Sequence, residues 1–168
     1  MKKSLVLTGM MGVGKSTIGK LLAKRLLLKF IDVDKLIEKN QGKSIKRIFE
    51  EDGEPFFREI EEKITLKILK NKKVVIALGG GAFMNSEIRH KILRSCTSIW
   101  LKVNLKKLIQ RYKKNDRRPL LNKKKTDAEV KKIYELRKKN YRLANFKINC
   151  DNMRKSQIVE KILFLYEN

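Results

Sequence analysis

The sequence predicts an α/β fold, a five-stranded parallel sheet with helices on both faces, and three observations carry that prediction. Short apolar runs alternate with amphipathic stretches along the chain, the pattern of repeated strand–helix units. The first run, Leu5-Val6-Leu7, passes through a glycine turn straight into a helical pattern. A later run, Val74-Val75-Ile76-Ala77-Leu78, is apolar without alternation, as a strand covered on both faces must be.

The elements follow in order. After the first strand, Ile18, Leu21, Leu22 and Leu26 recur at helical spacing with Lys20, Lys24 and Arg25 opposite, so residues 15–28 read as a helix. Residues 30–34, Phe-Ile-Asp-Val-Asp, alternate as a second strand whose Asp32 and Asp34 share one side, two residues apart. Residues 35–40 read as helical, and Ser44 is a candidate N-cap for a helix through Phe49. Asp52-Gly53-Glu54-Pro55 interrupts this pattern, and Phe57, Ile60, Ile64 and Ile68 restore it over residues 56–69, giving a jointed helical insertion. Gly79-Gly80-Gly81 closes the third strand. Residues 87–93 and 105–112 read as helices around a strand at 98–103. The cationic run 113–125 reads as a surface loop, long enough to act as a lid. A helix over 126–143, a strand at 146–150 and a helix over 158–166 complete one domain of 168 residues.

Composition narrows the function classes. The apolar fraction of 42% is that of a globular protein, and no apolar run is long enough to span a bilayer, so no membrane partner is expected. With no export signal, and with Cys96 and Cys150 far apart in sequence, the cytoplasm is the expected compartment and two buried thiols the expected state. The net charge of +24 is mostly lysine dispersed along the chain, a solvated surface rather than a nucleic-acid docking face. His90 and Trp100 read as structural.

The chemistry begins at residues 9–17. Gly9, Gly14, Lys15 and Ser16 satisfy G-x-x-x-x-G-K-[ST] between a strand and a helix, the context in which that motif is a phosphate loop. Glycines let backbone N–H groups close around phosphate oxygens, and the following helix points its positive end at the anion. Gly12, Val13, Gly14, Lys15, Ser16 and Thr17 are therefore the ATP-binding run. Lys15 reads as an exposed point charge for the β- and γ-phosphates, and the Ser16 hydroxyl as a ligand of Mg²⁺. A turn that merely joined a strand to a helix would need neither lysine nor hydroxyl at that offset. Beside such a loop, Asp32 and Asp34 can serve a metal and an acceptor hydroxyl.

Order and spacing of these segments, with Phe57-Arg58-Glu59-Ile60-Glu61, Leu78-Gly79-Gly80-Gly81-Ala82, Arg118-Pro119-Leu120-Leu121 and residues 137–141, resemble the shikimate kinases over roughly residues 5–145. That resemblance implies a three-layer P-loop kinase fold, with a substrate-binding insertion at about 34–60 and a mobile lid at about 113–125. It implies transfer of the ATP γ-phosphoryl group to the 3-hydroxyl of shikimate, with Mg²⁺, in a monomer. It implies that Arg58 and Arg137 take the shikimate carboxylate, which suits a planar guanidinium fork. Glu61, three residues after Arg58, would hold that fork. Asp34 would accept from the attacking hydroxyl, Asp32 would serve the metal, and Gly79, Gly80 and Gly81 would offer backbone N–H groups. Arg118 would reach the transferring phosphoryl group and Arg111 would stack on adenine, with residues 151–154 as a second wall. The lysine-rich run 123–125 and the absence of a proline before Arg154 depart from the family pattern. Two rivals remain at this stage: a kinase of the same fold for gluconate or a nucleotide, and a basic P-loop protein acting on nucleic acid.

Overall fold

A computed structural model describes residues 3–113 and 126–167. Five strands form its sheet: β1 (Ser4–Thr8), β2 (Lys29–Asp32), β3 (Val74–Ala77), β4 (Cys96–Lys102) and β5 (Phe146–Asn149). All pair in parallel, in the order β2-β3-β1-β4-β5. β1 is central and wholly buried, which is why its sequence lacks polar alternation. Its register, Leu7 opposite Ala77 on β3 and opposite Ile99 on β4, sets the carboxyl ends of these strands side by side. The turns leaving β1 and β3 thus emerge together, where parallel sheets bind ligands.

Among the described residues, eight α-helices connect and cover the strands: α1 (Lys15–Leu26), α2 (Val33–Gln41), α3 (Ile45–Glu51), α4 (Gly53–Ile68), α5 (Ser86–Ser95), α6 (Leu105–Lys113), α7 (Asp127–Tyr141) and α8 (Lys155–Glu167). None of these is long and apolar enough to cross a membrane. Cys96 and Cys150 are buried free thiols, and burial raises the Cys150 pKa to about 11, which leaves it unreactive.

The structure departs from the sequence-based expectation at three places. The second strand stops at Asp32, whose side chain accepts from the Lys35 N–H and caps α2. Asp34 therefore lies in the first helical turn, and the two aspartates do not share a strand face; capping outcompetes the short alternation. The break at 52–55 is a single residue, because Pro55 sits in the first turn of α4, where no N–H is needed. α8 starts at Lys155, three residues before its first buried apolar position, since its opening turn is polar and periodicity cannot register it.

The edge strand β5 is fastened through Asn145. Its side-chain oxygen accepts from the Ser98 N–H at 2.9 Å and the Ser98 hydroxyl at 2.8 Å, while its own N–H donates back to that hydroxyl at 3.0 Å. Ser98 is fully buried, so Ser98→Ala leaves the Asn145 N–H at the β4–β5 junction without its acceptor, while the Asn145 side-chain oxygen keeps only the Ser98 N–H. Urea denaturation should show a loss of about 1–3 kcal/mol with an unchanged m-value.

Candidate active site

The loop between β1 and α1 can be made only with glycine at key positions. Gly9 has φ +136°, and a Cβ there would lie 2.6 Å from the Leu101 carbonyl oxygen on β4. Gly14 has φ +102° immediately before the helix. Lys15 is not the exposed cation its composition suggests. It is 8% exposed, because its Nζ turns back to donate to the carbonyls of Gly9 (2.7 Å) and Met10 (2.9 Å). Two residues of α6 brace the same loop from outside: the Tyr112 hydroxyl donates to Met11 O at 2.5 Å, and Arg111 Nη1 to Gly12 O at 3.1 Å. The start of α6 is tied to the 151–154 segment, with the Asn104 N–H donating to Asp151 at 2.6 Å and Lys107 to Asn152 at 3.1 Å. The roles of Tyr112 and Lys107 are contacts across some 45 to 100 residues, and no local pattern announces them.

A cleft of about 350 Å³ joins this loop to the turn after β3. Gly14, Lys15, Ser16, Asp34, Arg58 and Glu61 are among its lining residues. The triple glycine is explained by what surrounds it. A Cβ on Gly79 would fall 2.5 Å from Glu61 Oε1 and 2.6 Å from Asp34 Oδ1; one on Gly80, 3.2 Å from Arg137 Nη1; one on Gly81, 2.4 Å from Arg58 Nη1. Each glycine makes room for a different charged side chain.

Those side chains form a buried ionic group. Arg58 Nη1 donates to Glu61 Oε2 at 2.6 Å, the i,i+3 pair the spacing permits, and its Nε and Nη2 reach Glu54 at 3.1 and 2.9 Å. Glu61 is 2% exposed, and burial pushes its carboxyl pKa up against the pull of Arg58 and Arg137. Burial likewise raises Asp34 to about 6; Lys15 opposes the shift, and Glu61, Asp32 and Glu38 add to it. Among the described residues, Arg137 Nη1 and Glu61 Oε1 are buried without hydrogen-bond partners. A buried donor left unmatched costs about 1–3 kcal/mol, and this one lies beside the glycine turn, 3.2 Å from where a Cβ on Gly80 would sit.

Ser16 and Asp32 line the same cleft. Asp32 gives one oxygen to the cap of α2, which leaves the other for an outside ligand. Among the described residues no cluster of three His, Cys, Asp or Glu exists. Two hard oxygen donors fit a cation that keeps most of its water. Gly12 and Thr17 also line the cleft; Val13 is buried beneath the loop, Arg111 lies along the loop's outer edge, and Arg118 falls outside the described residues.

A profile described as shikimate kinase matches residues 11–166. The chain is 44% identical over 161 residues to the shikimate kinase of Sulfurihydrogenibium sp. (strain YO3AOP1), covering 96% of each. It superposes on shikimate kinase from Acinetobacter baumannii in complex with shikimate with a TM-score of 0.93 at 30% identity, over 98% of this chain and 93% of that one. For shikimate kinase from Aquifex aeolicus the TM-score is 0.87 at 34% identity, over 98% and 96%.

Because the Asp34 pKa is raised on folding, its ionisation opposes stability: the benefit of the protonated form is complete below pH 3.8 and is lost as pH rises through about 6. Asp34→Asn should therefore be more stable than the parent at pH 7.5, by about 1–3 kcal/mol. Denaturant titrations should show this advantage fading toward pH 4.

Proposed function

The chain belongs to the shikimate kinase family, and from that premise we propose that it transfers the γ-phosphoryl group of ATP to the 3-hydroxyl of shikimate, giving ADP and 3-phosphoshikimate. One observation supports the reading: the phosphate loop residue Met11, Asp34 and the arginines Arg58 and Arg137 all lie against the Gly79–Gly81 turn.

The loop N–H groups and Lys15 hold the nucleotide phosphates, and Lys15 leaves the Gly9 and Met10 carbonyls to do so. Arg58 and Arg137 take the shikimate carboxylate, with Glu61 holding Arg58 in place. The N–H groups of the Gly79–Gly81 turn meet the acceptor where no side chain intrudes. Asp34 accepts the proton of the attacking hydroxyl, since its ionised form is available at neutral pH yet basic enough to take it. Arg111 and residues 151–154 flank the adenine. By family resemblance, Arg118 stabilises the charge that develops on the transferring group. Ser16 and Asp32 would hold Mg²⁺, which when bound neutralises phosphate charge. The protein acts as a monomer in the cytoplasm, as one kinase domain whose insertion at 34–60 receives the acceptor, with no nucleic-acid or membrane partner. Its basic surface raises the encounter rate of anionic substrates at low salt.

A coupled ADP-release assay across shikimate, quinate, gluconate and nucleoside monophosphates tests the assignment. Turnover should be confined to shikimate; turnover with gluconate or a nucleotide in its place would overturn it. Arg58→Lys replaces a fork by a point charge, and calorimetry should find shikimate affinity lowered at least about tenfold with ATP affinity retained. With Asp34 as the base, kcat/KM for shikimate should be flat above about pH 6 and fall about tenfold per unit below it.

A further inference from the structure

Tyr141 ends α7 with its side chain wholly buried. Its hydroxyl donates to the carbonyl oxygen of Gly80 across 61 residues of sequence. Its ring stacks on Trp100 of β4, the centroids 5.9 Å apart. Trp100 in turn underlies the phosphate loop, with its Cδ1 3.4 Å from where a Cβ on Gly9 would sit. One helical turn before Tyr141 comes Arg137, whose guanidinium interacts with the same hydroxyl. Burial holds the phenol well above its usual pKa, so it remains a donor throughout the working range.

The carbonyl it holds is the one in the turn that most needs holding. Gly79 O accepts from Ala82 N at 3.2 Å and Gly81 O from Met84 N at 2.9 Å, so the 3-10 turn Ala82–Met84 fixes both. Gly80 O instead finds its partner in a distant side chain. In a trans peptide the Gly80 carbonyl and the Gly81 N–H point in opposite directions. A peptide flanked by two glycines is also the easiest to invert, because neither residue has a Cβ to forbid the alternative φ. Inversion would turn a carbonyl oxygen toward the cleft beside Arg58 and Arg137, where an acceptor carboxylate would be repelled.

We propose that Tyr141 is a positioning residue for the acceptor: its hydroxyl latches the Gly80–Gly81 peptide so that the N–H, and not the carbonyl, faces the cleft next to Arg58. This rests on the reading of the cleft as the shikimate site. The latch acts on acceptor binding and leaves the nucleotide site alone, since the phosphate loop is braced separately by Tyr112 and Arg111. A tyrosine that merely filled the core would lose stability on removal of its hydroxyl without discriminating between ligands.

The test compares the full-length parent with Tyr141→Phe and Trp100→Phe, measuring dissociation constants for shikimate and ADP by calorimetry together with Tm. For Tyr141→Phe the shikimate constant should rise at least tenfold, about 1.4 kcal/mol, with ADP within twofold. Trp100→Phe keeps the hydroxyl, so its Tm should fall while the shikimate constant stays within twofold. Parent-like shikimate binding by Tyr141→Phe, equal loss of both ligands, or an equal shikimate loss in Trp100→Phe would overturn the latch. Failure of the parent itself to bind shikimate would instead sink the functional reading. Amide relaxation dispersion at Gly81 of the ligand-free parent tests the latch even if Tyr141→Phe does not fold. A latched peptide shows no microsecond–millisecond exchange, and clear exchange there would contradict the proposal.

Discussion

A carboxylate in the interior is what the acceptor end of this molecule has to accommodate. Glu61 is 2% exposed, and a buried charge deprived of its partner costs about 3–5 kcal/mol. Arg58 supplies that partner at 2.6 Å and is itself held from the other side by Glu54. The fork cannot reach Glu61 unless the turn after β3 stays out of its way: side chains at residues 79 and 81 would collide with Glu61, Asp34 and Arg58, and one at residue 80 would press on Arg137. Glycine there is a steric demand of the ionic group. Burial likewise raises the Asp34 pKa to about 6, which suits the base role proposed for it.

The phosphate end obeys a different constraint. Its loop has few side chains of its own, so rigidity comes from elsewhere: Gly9 against the Leu101 carbonyl, Tyr112 and Arg111 on Met11 and Gly12, and Lys15 folded onto two carbonyls of the loop. Lys15 also lowers the Asp34 pKa, so the lysine proposed to meet nucleotide and the aspartate proposed to meet acceptor are in electrostatic contact. In the proposed reaction, engagement of Lys15 with phosphate would weaken that hold on Asp34.

Much of this is legible in the chain. Alternation of apolar runs with amphipathic stretches locates all five strands, because burial on both faces leaves no room for polar residues in β1 and β3. The phosphate loop is legible since its chemistry requires fixed types at fixed offsets. Asp34 reads as part of a strand because Asp-Val-Asp alternates, whereas Asp32 prefers to cap a helix. Lys15 reads as exposed because lysine usually is, and only three-dimensional structure shows its carbonyl partners. The burial of Glu61 on a helix rich in glutamate, and the reach of Tyr141 and Tyr112 to glycine-loop carbonyls, depend on tertiary contacts that no period of 2 or 3.6 encodes.

Among the described residues Lys15 is the one buried lysine, and the acceptor side of the proposed site rests on two arginines, Arg137 buried and Arg58 half-buried. Their assignment to a carboxylate is the claim on which the acceptor identity turns. The most direct test is a calorimetric comparison of shikimate with its methyl ester, which keeps the ring and hydroxyls but removes the charge. Loss of a charge-assisted pairing should weaken binding of the ester by about ten- to a hundredfold. Equal affinity for acid and ester would mean that Arg58 and Arg137 do not hold a carboxylate, and the account of the cleft would fall with it.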